Sequence, residues 1–199
     1  QQQLQQVVQN LPQHLFGNDL HVHERLVFKV HLGKKLTNRS TSPSMAGGFM
    51  GGYGQQQQPQ RTVTKSEPFV KLSFVSNNQT YNWQSKSQMN GDNEVKFEEE
   101  TKFDNVKFDV AQGNNNNNQT QQSTQPIKIR LEVFDQDQYR RTNSLGYLEF
   151  QVDPEQPQYN RFDDIKLKDS STNRDMAENC TISFSYSYFY NKNLVVNNT

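Results

Sequence analysis

The sequence predicts an all-β, antiparallel sandwich, and three observations carry that prediction. Apolar residues gather in short runs that alternate with polar ones, the segments between runs are rich in Gly, Asn, Gln and Pro, and helical periodicity is almost absent. A chain of 199 residues has room for one domain with a real core, and too little for two comfortable ones. A hydrophobic fraction of 31% and a mean hydropathy of -1.02 are low for a wholly globular protein, which fits an ordered sandwich carrying long polar loops.

The elements follow in order. Residues 1–18 are Gln-rich and read as a tail, and the predicted domain runs from 19 to 190. In LHVHERLVFKVHLGKKL, Leu26, Phe28, Val30 and Leu32 alternate with Val27, Lys29 and His31, the period of a half-buried strand. Residues 37–62 contain Gly-Gly pairs, Pro and a Gln run that cannot pack a core, so they form a long inserted loop. PFVKLSFV is a strand, TYNWQSKSQ a weaker polar one, and Gly91-Asp92-Asn93 a turn. VKFEEETKFDNVKFDV reads as extended with its acids in solvent and with Val106, Phe108 and Val110 inward. A second low-complexity insertion covers about 112–125.

The strongest strand signal is PIKIRLEVFDQD, where Ile127, Ile129, Leu131 and Val133 alternate with Lys128, Arg130 and Glu132. GYLEFQVD sets Leu148, Phe150 and Val152 on one face, and FDDIKLKD adds a short apolar touch. TISFSYSYFY closes the domain with Ile182, Phe184, Tyr186, Tyr188 and Tyr190 on one side and Ser and Thr on the other; residues 191–199 are a tail. Seven or so short strands joined by turn-rich connections argue for an antiparallel sandwich.

Three ordered blocks resemble the C2 domain, the calcium- and phospholipid-binding sandwich family. Glu67-Pro68-Phe69-Val70-Lys71 is similar to the family's Asp-Pro-Tyr-Val-Lys strand entry. Asn93-Glu94-Val95-Lys96-Phe97-Glu98 is a looser match to its Asn-Pro-Val-Trp-Asn-Glu turn. Leu131-Glu132-Val133-Phe134-Asp135-Gln136-Asp137, with Asn143-Ser144-Leu145-Gly146 after it, is close to its Val-x-Asp-x-Asp…Asp-x-x-Gly block. The resemblance covers most of residues 20–190. It implies eight strands in a C2-like β-sandwich with long low-complexity loops, in one of two circularly related connectivities.

In that family, loop aspartates at one end of the sandwich collect Ca²⁺, which takes six to eight oxygen ligands. The resemblance places Asp135 and Asp137 at two of those positions and Asn143 at a third, where it offers oxygen without charge. Glu67 stands in for the Asp before Pro, and residues 37–62 hold no acid to supply the remaining ligand. The expected result is a divergent, vestigial Ca²⁺ site and no other cofactor. The family's basic lipid-binding strand is matched by TYNWQSKSQ, which has only Lys86.

Other chemistry is thin. His21 and His23 could share a strand face, yet no neighbouring Cys or carboxylate spacing completes a metal site. Cys180 opens the last strand as a small buried residue, and GGFMGGYG lacks the Gly-Lys-Ser/Thr ending of a phosphate loop. Glu98, Glu99 and Glu100 are the charge run of a solvated edge. No nucleophile–base constellation supports catalysis. The sequons at Asn38 and Asn179 are the chance product of an Asn-, Ser- and Thr-rich chain.

With 21 basic and 21 acidic side chains the protein is formally neutral, which excludes nucleic acid as the expected partner. A single cysteine, no apolar run long enough to span a bilayer and no signal-peptide pattern lead to an expectation of an intracellular protein, cytoplasmic or cytoskeletal. The missing initiator Met leads to an expectation that the sequence starts inside a longer chain. The functional expectation is a non-enzymatic scaffold or structural subunit contacting other protein subunits of a large complex, of which a ciliary axoneme is one example. The alternative is a peripheral membrane module, with Phe49, Met50 and Tyr53 entering lipid and Arg140 and Arg141 on headgroups.

Overall fold

The computed structural model describes residues 24–36, 67–88, 94–107, 110–112, 122–136, 140–176 and 179–190. Eight strands among them form two four-stranded antiparallel sheets, with no helix among the described residues. The first sheet runs in the order β4 (Glu94–Asp104), β1 (Glu24–Lys34), β10 (Thr181–Tyr190), β9 (Gln158–Lys166). The second runs β3 (Gln79–Gln84), β2 (Glu67–Ser76), β7 (Ile127–Gln136), β8 (Thr142–Val152). A two-stranded hairpin pairs β5 (Val110–Gln112) with β6 (Gln122–Thr124).

Alternation builds the core as expected. Leu26, Phe28 and Val30 of the first sheet lie with Phe184 and Ile182 against Val70, Leu72, Ile129, Leu131 and Val133 of the second. Phe28 is the hub. Its ring stacks on Phe150 at 6.2 Å, meets Phe184 at 5.8 Å and takes the edge of Trp83 at 5.9 Å. Along β10 the tyrosines serve twice: their rings pack inward while the Tyr186 and Tyr190 hydroxyls donate to the backbone carbonyls of Gln151 and Glu155. Cys180 is buried as expected, its thiol turned to the Lys35 carbonyl.

Three local readings change. The alternation of β1 stops at Val30, because its registers with β4 and β10 both shift between Val30 and Leu32. Leu32 is therefore only half-buried, and His31 is buried instead, bonded through Nε2 to the Ser185 hydroxyl at 2.9 Å. In 95–110, β4 ends at Asp104 and the chain turns at Asn105 (φ 52°), so Val95, Phe97 and Val106 are the inward residues. Phe108 lies outside the described residues and Val110 belongs to β5. Residues 112–125 were expected as loop throughout, but Gln122–Thr124 pair with Val110–Gln112; backbone pairing of so short a polar segment leaves no apolar signature.

β1 and β10 lie side by side in the middle of the first sheet, from Glu24 opposite Tyr190 to Lys34 opposite Thr181. Of the two connectivities the resemblance allowed, this one joins the first and last described strands. Two side-chain ties fasten the end of that seam. Arg25 grips Asp104 through Nε (2.6 Å) and Nη2 (2.9 Å), and the Tyr188 hydroxyl donates to Glu24 Oε2 at 2.7 Å.

Burial pushes the Glu24 carboxyl up from the ordinary carboxylate range, and the Tyr188 hydrogen bond only partly opposes it. A carboxyl raised in the folded state favours its protonated form. Its contribution to stability is complete below the unfolded pKa of about 4.3 and is lost as pH rises through the higher folded value. Gln at 24 keeps an acceptor for Tyr188 without the buried charge. Glu24→Gln is therefore expected to unfold at a higher temperature than wild type at neutral pH, with the gap closing toward acid; melting curves of both across pH check this.

Candidate functional site

The loop end of the second sheet brings together the described residues expected there. β2 begins at Glu67, and Pro68 lies opposite Asp135, which lies opposite Asn143 on β8. Glu67 and Asn143 are exposed, but Asp135 is 1% exposed and its Oδ1 accepts the Glu67 backbone N–H at 2.7 Å. The leading carboxylate thus clamps the start of β2 to β7. Among the described residues, no three His, Cys, Asp or Glu side chains converge on a point that could hold a metal ion. Asp137 lies outside the described residues, as do Phe49, Met50, Tyr53, His21 and His23. Arg140 and Arg141 are exposed beside the start of β8, Arg140 with a left-handed backbone (φ 60°).

Gly146 shows why the third block ends in glycine. Its φ is +122°, and a Cβ there would stand 2.8 Å from Leu167 Cβ and 3.0 Å from the Lys168 carbonyl oxygen. The segment 167–176 packs over it, held by the paired backbone bonds of Tyr147 and Lys168, both 2.8 Å.

Sequence reasoning missed the outer face of the second sheet. There Phe69 and Phe134, opposite one another on β2 and β7, stack at 5.6 Å. The Lys71 ammonium sits 4.9 Å from the Phe134 ring centre and 5.7 Å from that of Phe69. Beside it a shallow groove of about 400 Å³ is lined by Lys71, Ser73, Asn82, Gln84, Phe134 and the carboxylate-bearing Glu132, among others. Further along the face Lys128 pairs with Glu149 at 2.9 Å, and Arg130 pairs with Glu132 at 3.2 Å while lying 3.7 Å from the Tyr147 ring centre. The signal was present in the outward register of PFVKLSFV and LEVFD, but only strand pairing sets Lys71 beside Phe134.

The other sheet carries a polar seam on its outer face. His31 Nδ1 lies 3.6 Å from Glu98, which also holds Lys29 at 2.9 Å, and the Lys29 bond keeps the Glu98 carboxyl below its ordinary range. Glu98 has φ 46° at the bulge in β4, so the expected charge run does mark an edge strand, with Glu98 turned to Lys29 and His31 and Glu99 accepting the Lys86 backbone N–H.

No family model matches the chain, and no curated protein matches it. Solved structures similar to it include a human GIVD cytosolic phospholipase A2, solved with methyl gamma-linolenyl fluorophosphonate. That match has a TM-score of 0.49 and 9% identity, and covers 86% of this chain but 18% of that one. A C2 domain of a plant extended synaptotagmin 1 is similar with a TM-score of 0.46 and 11% identity, over 85% of this chain and 97% of that one. CC2D1B is similar with a TM-score of 0.48 and 11% identity, over 86% and 57% of the respective chains. The described strands form an antiparallel β-sandwich of two four-stranded sheets.

Proposed function

We propose that this domain is a non-enzymatic protein-interaction module, a scaffold or structural subunit that docks on other subunits of an intracellular assembly. One observation carries the reading: on the exposed face of the second sheet, Lys128 and Arg130 are already paired with Glu149 and Glu132 of the same face. An acidic bilayer surface is held by uncompensated cations, each contributing about 1 kcal/mol. With these two cations matched, Lys71 alone is left on this face without a counter-charge among the described residues, one cation where a bilayer surface needs several. Such a face suits a protein partner, where polar pairs and rings provide register and contact area. The commitment of Asp135 to the Glu67 N–H supports the same reading, since that carboxylate closes a strand seam and no resident cofactor enters the proposal.

Vesicle sedimentation tests it. The protein is expected to stay in the supernatant with phosphatidylserine vesicles, with and without Ca²⁺. Ca²⁺-dependent pelleting that is abolished by Asp135→Ala together with Asp137→Ala, in a variant whose circular dichroism shows it folded, would overturn the proposal in favour of the membrane module. The single variant Asp135→Ala should cost about 1–3 kcal/mol, because it removes the charged acceptor of the part-buried Glu67 N–H bond, read from the urea midpoint.

A further inference from the structure

The groove beside Lys71 has the chemistry of an extended acidic peptide, and we propose that it binds one; this rests on the protein-interaction reading and names the partner's class. Lys71 makes no ion pair with any described residue, in contrast to Lys128 and Arg130 on the same face. Glu132 stands opposite it in register and lines the same groove, but is engaged elsewhere: Oε2 holds Arg130 and Oε1 accepts the Ser144 hydroxyl. The ammonium is instead seated on the Phe134 and Phe69 rings, which fix it without neutralising it. A carboxylate brought in by a partner would complete the arrangement.

The rest of the groove selects a peptide. Asn82 and Gln84 point outward from β3, an edge strand of its sheet, and with the Ser73 hydroxyl they offer donors and acceptors for a peptide backbone. The Phe134 ring offers an apolar surface for a side chain next to the carboxylate. A phosphate-bearing headgroup needs several converging cations. Here there is one, and Glu132 would repel a second negative group beside it.

The test uses the whole chain and a fluorescein-labelled peptide with a single central Glu flanked by Phe and Ser, read by anisotropy, with a Gln-for-Glu peptide and phosphatidylserine vesicles as comparisons. The Glu peptide is expected to bind. Lys71→Gln should weaken it about fivefold, the size of one partly screened charge pair, Lys71→Arg should restore most of that loss, and Phe134→Ala should also weaken it. Added salt should weaken binding to wild type and leave Lys71→Gln little changed. Equal binding of the Gln peptide, indifference to Lys71→Gln, or no binding of either peptide overturns the groove assignment while leaving the protein-interaction reading standing. Vesicle binding that requires Lys71, with no peptide binding, overturns both.

Discussion

Phe28→Ala is expected to destabilise the domain by about 3–5 kcal/mol, enough to unfold a protein of ordinary stability. Phe28 is 1% exposed and touches aromatic rings from both sheets, Phe184 on its own and Trp83 and Phe150 across the core. Truncation leaves a cavity that its neighbours cannot readily fill, because Phe150 and Phe184 are also held elsewhere, Phe150 on Tyr186 and Phe184 on Phe162, both at 5.0 Å. Trp83 is the only tryptophan in the chain and its ring meets Phe28 edge-on, so its emission during urea unfolding reads the effect directly. A loss under about 1 kcal/mol would mean that the two sheets do not pack through this residue.

The second large effect belongs to Gly146. Alanine there must adopt a φ of +122°, at a cost of about 1–3 kcal/mol for the backbone alone. Its Cβ would also press on the Leu167 Cβ and the Lys168 carbonyl, neither of them the far end of a yielding side chain. Gly146→Val adds a branched side chain and should cost more. The damage should appear first where segment 167–176 joins β8, as faster amide exchange at Tyr147 and Lys168, while β1 and β10 keep their protection. A uniform loss across both sheets would show that the segment is not a separate unit.

The sequence was most legible where alternation and burial agree. Ile127 to Val133 of β7, and Ile182, Phe184, Tyr186 and Tyr188 of β10, could be read from alternation because both strands sit inside their sheets and those inward positions are apolar. β9 was reduced to FDDIKLKD for a physical reason: it is an edge strand, its start carries Gln158, Asn160 and Arg161, and a register shift opposite Ser183 breaks the period. The same kind of shift misplaced Leu32 and hid His31. At the loop end, Asp135 lies opposite Asn143 across β7 and β8. The sequence could not foretell that Asp135 would turn inward, because an Asp ready for a cation and an Asp capping a strand are the same letter. The Lys71 groove was invisible for another reason: its parts come from three strands, and no spacing in the chain announces a cross-strand pair.

The seam between β1 and β10 also sets an order of events. Phe28 has β4 on one side, but gains its β10 neighbour only when the segment around Phe184 and Tyr186 has emerged from the ribosome, almost at the end of the described chain. Until then Leu26, Phe28 and Val30 have no neighbour on that side, and closing so long a loop is slow compared with forming a hairpin such as β2–β3. The second sheet, complete by Val152, can assemble during synthesis, whereas the first waits on its final strand. β1, the first of the described strands, is thus among the last to gain both of its neighbours.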